Sequence, residues 1–260
     1  MTRYASTRGL RPHELRAALK KSPPAPLYFC LGEEPYLITQ ALDLLRAAAV
    51  GPDDLFNYQR FDAGEASVID MLTAIDTLPA FAERRLVVIA HADALLAEAQ
   101  ASLLAALDAL SPTTCLAITA AKADQRRRLF VWLNQHATVI NCQPLLEREL
   151  PAWLNGQATA LGLQLAPDVA HALVEQTGSS LHALVNELEK LKLYKSARAE
   201  TLAQSDRGKN PALPPPPSSD VRTHLMGTLP SAGGDALRHG SPSATAALVK
   251  ITLDDLQAVA

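Results

Sequence analysis

Cysteine is scarce in this chain of 260 residues: there are three, Cys30, Cys115 and Cys142, and their spacing forms neither a CxxC pair nor a zinc set. Each falls in or beside a predicted strand, so the expectation is buried, reduced thiols in a cytosolic protein. Long hydrophobic runs are missing too. Nothing approaches the roughly 18 residues of a membrane span, and the opening MTRYASTRGLRPHEL is not a secretory leader. These absences point to the cytoplasm and away from a membrane. Neither sign of charge dominates, with 24 Lys and Arg against 27 Asp and Glu for a net charge of -3. A global drive toward nucleic acid is thereby excluded, and any DNA contact must be local or shared with partners. The seven histidines are scattered, with no HExxH and no pair at i, i+4; His171 and His182 fall on separate predicted helices. GxSxG is absent and no Cys has an obvious His partner. No metal site, cofactor site or catalytic constellation is expected.

What the chain does have is apolar content, 48% of its residues, enough for a substantial core. Short apolar runs predict strands over Leu27–Leu31, Phe56–Phe61, Leu86–Ala90, Cys115–Thr119 and Thr138–Cys142. Between them, amphipathic patterns predict helices over Pro35–Ala49, Ala66–Thr77, Asp93–Leu110 and Gln125–Gln135, after a short helix at His13–Lys20 and the stiff linker SPPAP. Strand and helix alternating over about 120 residues imply an α/β domain with a largely parallel sheet and helices on both faces. Several strands are near-continuously apolar, as burial on both faces requires.

From Leu146 the pattern turns helical: Arg148–Leu161, Pro167–Thr177 and Ser179–Tyr194, the last with Leu181, Leu184, Val185, Leu188 and Leu191 on one face. Gly162 and Gly178 stand where C-caps belong, and Ser179 or Ser180 can cap the helix that follows. The Pro-, Gly- and Ser-rich stretch 197–247 is expected to lack order. ITLDDLQAVA then recovers a helix signal, with Thr252 as N-cap and a dock onto the helical domain. The expected organisation is an N-terminal extension (1–25), an α/β domain (26–145) and a small all-helical lid domain (146–260) containing that stretch.

LYFCLGEEPYLITQAL, from Leu27 to Leu42, has the strand–glycine–helix outline of a phosphate-binding loop. A working loop needs GxxxxGK[ST], whose N–H groups surround the phosphates while the Lys reaches the outer oxygens. Here Gly32 is followed by Glu33, Glu34 and Pro35. Two carboxylates stand where polyphosphate would sit, and Pro35 has no N–H to offer. The scaffold is present without its chemistry.

A strand-loop-helix start, an α/β domain and then a helical lid is an AAA+-like layout. LYFCLGEEPYLITQAL, FNYQRFDAGEAS, TLPAFAERRLVVIAHADAL, ERELPAWL and LVNELEKLKLY, in that order, resemble the delta subunit of the bacterial DNA polymerase III clamp loader. The resemblance covers Pro26–Tyr194 and returns at Ile251–Val259. It implies an ATPase-like fold without nucleotide chemistry, one that binds the ring-shaped sliding clamp (beta) and holds an interface open. Other implied partners are the remaining clamp-loader subunits and, within the complex, primed DNA. Further parts of a nucleotide machine are also missing. After LVVI, where paired acids would hold magnesium, stand Ala90 and His91; Asp93 is expected to cap a helix. No Ser-Arg-Cys finger follows Leu116–Thr119. The family is expected to continue into a collar domain, whereas this chain stops at Ala260.

By the same resemblance the clamp contact falls on Leu78, Pro79, Ala80 and Phe81, at the end of the helix before the third strand. An aromatic at a helix-to-strand junction reads by itself as core; the resemblance makes Phe81 an interface residue, and its exposure separates the two. Ala80 stands where the family often has a larger aliphatic residue. Arg126, Arg127 and Arg128, at the start of the helix after the fourth strand, are candidates for phosphate contact and also fit a solvated face, as do Arg84 and Arg85 beside the third strand. A degenerate AAA+-type hydrolase and an adaptor that binds another protein through the Phe81 patch remain as alternatives.

Overall fold

The computed structural model describes residues 9–51, 54–207 and 248–259. The chain divides into two compact units, Met1–Arg148 and Glu149–Ala260.

In the first unit the elements run α1 (Pro12–Leu19), β1 (Leu27–Leu31), α2 (Pro35–Ala49), β2 (Tyr58–Asp62), α3 (Val68–Asp76), β3 (Arg85–Ala90), a 3-10 turn (Ala92–Ala94), α4 (Ala97–Leu107), β4 (Thr114–Ala120), α5 (Arg128–His136) and β5 (Thr138–Asn141). The five strands form one sheet in the order β2-β3-β4-β1-β5, and every pairing is parallel. Every residue of β1, β3 and β4 is buried, while the edge strands β2 and β5 are only partly covered. Alternation along each strand divides the side chains between the two faces. Leu27, Phe29, Val87, Ile89, Leu116 and Ile118 pack with Met71 and Ile75 of α3, Leu103 and Leu107 of α4, and Phe130 and Leu133 of α5. α2, whose Leu37, Ala41, Leu42 and Leu45 are buried, packs over β3 and β4 and against α1. The three cysteines are buried and free of disulfides. Burial pushes the Cys115 thiol up to about 12; a hydrogen bond with the Cys142 thiol, then burial, raise the Cys30 thiol well above its ordinary value.

An N-terminal strap closes the outer edge. Leu10 forms a parallel bridge with Ile140, its N–H donating to the Val139 carbonyl at 2.9 Å and its own carbonyl accepting from Asn141 N–H at 2.8 Å. Gly9 lets the strap lie this close, since a Cβ there would stand 2.9 Å from the Val139 carbonyl oxygen.

Several sequence expectations for this unit change, among them the helix expected over 125–135, which begins at Arg128. The strand expected from Phe56 begins at Tyr58. The helix expected over 93–110 is split: Ala92–Ala94 form the 3-10 turn, Leu95 and Leu96 are extended, and α4 begins at Ala97. Asp93 is therefore not a helix cap; its carboxylate accepts the Ala121 N–H at 3.2 Å.

The second unit contains α6 (Leu150–Ala160), β6 (Leu163–Leu165), α7 (Val169–Thr177), α8 (Leu181–Arg207), β7 (Val249–Ile251) and α9 (Leu253–Gln257). The unit read as all-helical thus also carries a two-stranded parallel sheet, β6-β7. Residues 197–207, expected to lack order, continue α8, which contains no Pro or Gly to stop it. Residues 208–247 of the same stretch lie outside the described residues. Leu181, Leu184, Leu188 and Leu191 are buried in one stripe. Gly162 (φ 81°) and Gly178 (φ 82°) take the positive φ that ends a helix. Thr252 caps α9: Asp255 Oδ2 accepts from its N–H and its hydroxyl, both at 2.9 Å, and also pairs with Lys195 Nζ of α8 at 2.7 Å.

Candidate functional site

In an open parallel sheet, ligands bind beyond the carboxyl ends of the strands where the strand order reverses. Here that place is the turn from β1 into α2, between β4 and β5, and it is occupied by the chain itself. Gly32 N–H donates to the Ala120 carbonyl and Glu34 N–H to the Cys142 carbonyl, both at 3.0 Å. The Glu34 side chain accepts Tyr36 N–H at 3.2 Å, capping α2 from the spot where a phosphate would sit. Gly32 has φ 148°, and a Cβ there would collide with the Cys142 carbonyl. Arg11 Nη1 fastens the Gln143 carbonyl of the same wall at 3.1 Å. Gly32, Glu33, Glu34 and Pro35 thus form a turn whose Gly32 and Glu34 N–H groups are spent internally. At the end of β3 the αL residue His91 (φ 57°) places its Nδ1 2.8 Å from Asp62 Oδ2. The Gly64 N–H, then His91, hold the Asp62 carboxyl below the usual carboxylate range. Among the described residues no cluster of His, Cys, Asp and Glu is arranged to hold a metal.

The tip between α3 and β3 is built differently. α3 ends at Asp76, and the chain crosses to Arg85 through a loop, so Phe81 stands on the loop and not on the helix. Phe81 is fully exposed, at 110% relative accessibility, with a backbone φ of 57°. Leu78 is 69% exposed; Ala80 is exposed and Pro79 half-buried.

This loop is nevertheless held. Arg85, 97% of whose surface is removed from solvent by the packing around it (3% exposed), donates from Nη1 to the Thr77 carbonyl at 3.0 Å and from Nη2 to Gln59 Oε1 at 2.6 Å. Burial lowers its guanidinium pKa, and its buried Nε has no hydrogen-bond partner. Asn57, 2% exposed, accepts Ala80 N–H at 2.7 Å and donates to the Ala80 carbonyl at 2.9 Å. The same Asn57 amide donates to Asp54 Oδ2 at 2.7 Å. Beside it Leu55 and Phe56 project, 75% and 86% exposed. Phe56 and Leu78 line a common cleft of about 380 Å³.

Of the basic candidates, Arg85 is an internal strut, and half-buried Arg84 bonds the Pro24 carbonyl through one guanidinium nitrogen. Arg126, Arg127 and Arg128 are exposed and line a groove of about 700 Å³ with Leu95, Leu96 and Leu104. Arg127 is the N-cap residue of α5, and its Nη1 is turned toward the Asp93 and Leu95 carbonyls at 3.4 and 3.3 Å. Sequence reading missed Leu55, Phe56, Asn57 and the internal role of Arg85. A buried Asn at the entry to a strand leaves no periodic signal.

A five-stranded parallel sheet in this order, with a phosphate-loop outline and a mainly helical second unit, defines an AAA+-like module. Residues 28–143 match the family model for DNA polymerase III, delta subunit. The chain is 25% identical over 194 residues to DNA polymerase III subunit delta of Bacillus subtilis (strain 168), covering 70% of this chain and 56% of the relative. The solved structure of the Bacillus subtilis DNA clamp loader delta protein has the same fold. Its TM-score is 0.61 at 23% identity, covering 69% of this chain and 56% of that one. The chain spans just over half the length of these relatives. No helix among the described residues is long and apolar enough to cross a membrane.

Proposed function

We propose that the chain works as a clamp-loader delta subunit, binding a sliding clamp through Leu78, Pro79, Ala80 and Phe81 and holding the ring open for loading onto primed DNA. The supporting observation is the Phe81 tip: a fully exposed aromatic on a loop held by Asn57 and Arg85. A projecting aromatic delivers binding energy by entering a pocket on its partner. Affinity alone does not open a ring, because a ligand shifts an equilibrium only as far as it binds one state better than the other. A wedge on a rigid sheet domain discriminates in this way by fitting the distorted interface and not the relaxed one.

In this reading the chain hydrolyses no nucleotide and needs no cofactor; other loader subunits, acting with ATP, control when the wedge is presented. The internally bonded β1-α2 turn favours this over a degenerate hydrolase. Exposed Arg126 and Arg128 are available for phosphate contact only as part of a larger assembly. Titration against a bacterial sliding clamp tests the proposal. Phe81→Ala should cost roughly 2–4 kcal/mol of binding, about 30-fold to 1000-fold. Equal affinity of the two chains would sink it.

A further inference from the structure

Four large apolar side chains, Leu55, Phe56, Leu78 and Phe81, are exposed on two loops at one place in the fold. The loops are 23 residues apart in sequence and joined by one buried side chain. Asn57 holds both backbone groups of Ala80, the residue before Phe81, so it fixes two directions of the tip loop at once. On its own side Asp54 completes the arrangement: Oδ1 accepts the N–H groups of Phe56 and Asn57, each at 2.9 Å, and Oδ2 accepts the Asn57 amide. Asp54, Asn57 and Ala80 are thus linked by hydrogen bonds into one bracket between the loops. The residues on either side of it are apolar and face water, a combination that costs solubility and does nothing for the core.

We propose that Phe56 and Phe81 are two prongs of one contact surface, kept in register by Asn57, and that both seat on the same sliding clamp. The inference rests on the reading of Phe81 given above and extends it, because Phe56 shares the cleft rim with Leu78 and is tied to Ala80 through its neighbour Asn57. A preorganised pair of anchors avoids the ordering cost that two loose loops would meet on binding. Asn57 is accordingly a positioning residue, touching the partner through nothing of its own.

The test uses the full chain and a purified bacterial clamp. Phe56→Ala should weaken binding by about tenfold, and Asn57→Ala by a similar factor. In a Phe81→Ala background the Asn57→Ala loss should shrink to about twofold, because the residue it positions is gone. Independently of any partner, a nitroxide on Leu78→Cys should give a more mobile spectrum in the Asn57→Ala chain with its melting curve kept; the three native cysteines are buried. Phe56→Ala at wild-type affinity, with Phe81→Ala impaired, overturns the second prong. Full additivity with an unchanged nitroxide spectrum overturns the bracket. If wild type and Phe81→Ala bind the clamp equally, the failure lies in the underlying reading and takes the shared partner with it, while the nitroxide still judges the role of Asn57.

Discussion

Phe81 combines two unfavourable states: its ring is bare to water and its backbone has φ 57°. The left-handed region costs a residue with a Cβ roughly 1–2 kcal/mol, and the exposed ring returns none of it by burial. Phe81→Gly should therefore melt at or above the wild-type temperature, by up to about 1 kcal/mol of stability, while losing clamp affinity as Phe81→Ala does. Calorimetry and titration on one preparation separate the two effects, and a clear drop in melting temperature would count against a strained tip. The same exposed apolar residues explain why sequence misjudged the start of β2. In FNYQRF the aromatic Phe56 reads as the first inward residue of a strand, yet it lies outside the sheet and in water. Apolar periodicity reports burial, and a residue exposed at a binding surface reads the same as one in the core. Arg85 is the converse case, a charge that reads as surface and is 3% exposed.

At the level of elements, the β1-α2 turn was the most legible part of the chain. LYFCL and PYLITQALDLLRAAA became β1 and α2 with the expected bounds, because apolar continuity, Gly32 and Pro35 all agree there. The sequence could not reveal that Gly32 is pressed against a wall supplied by Cys142 and Gln143, more than a hundred residues away. Gly32→Ala combines a positive φ with a backbone collision and should destabilise the first unit by on the order of 2–4 kcal/mol, read as a lower midpoint in urea. A loop that opens without loss would return the midpoint of the wild type. Other boundaries were illegible for local reasons. The break at Leu95-Leu96 carries no Pro or Gly, and the three-residue strands β6 and β7 are too short to alternate.

α9 supplies a pH-dependent link of its own. Burial works to raise the Asp255 carboxyl, but hydrogen bonds from Lys195 and Thr252 outweigh it and hold the group below its ordinary value. Stability from this group is therefore present above the unfolded carboxylate range near 3.9 and is lost as pH falls through the lowered folded value. Asp255→Asn should be less stable than wild type at pH 7, with the difference narrowing as the pH is taken below about 4. A gap that stays constant across that range would show that the Asp255 charge is not what matters.

Across the whole molecule, fold class was readable because alternation of period 2 and period 3.6 survives averaging over many residues. The phosphate-loop outline was readable from the strand–Gly32–helix succession, and its departure from a working loop from the three residues Glu33, Glu34 and Pro35. What needed coordinates was where chain segments distant in sequence meet: Asn57 with Ala80, Arg11 with Gln143, Asp93 with Ala121. The intact chain gives the broadest check. A ligand at a hundred times its dissociation constant adds about 2.7 kcal/mol, worth on the order of 5–10 °C in a protein of this size. Saturating Mg-ATP should instead leave the melting temperature within about 1 °C, and a shift of several degrees would revive the hydrolase reading.

The strap at Leu10 has a practical side. Because Gly9 and Leu10 lie along β5 with almost no clearance, a bulkier residue in place of Gly9 would press on the outermost strand of the sheet. With the strap prised off, β5 would bare a sticky edge to other copies in the tube.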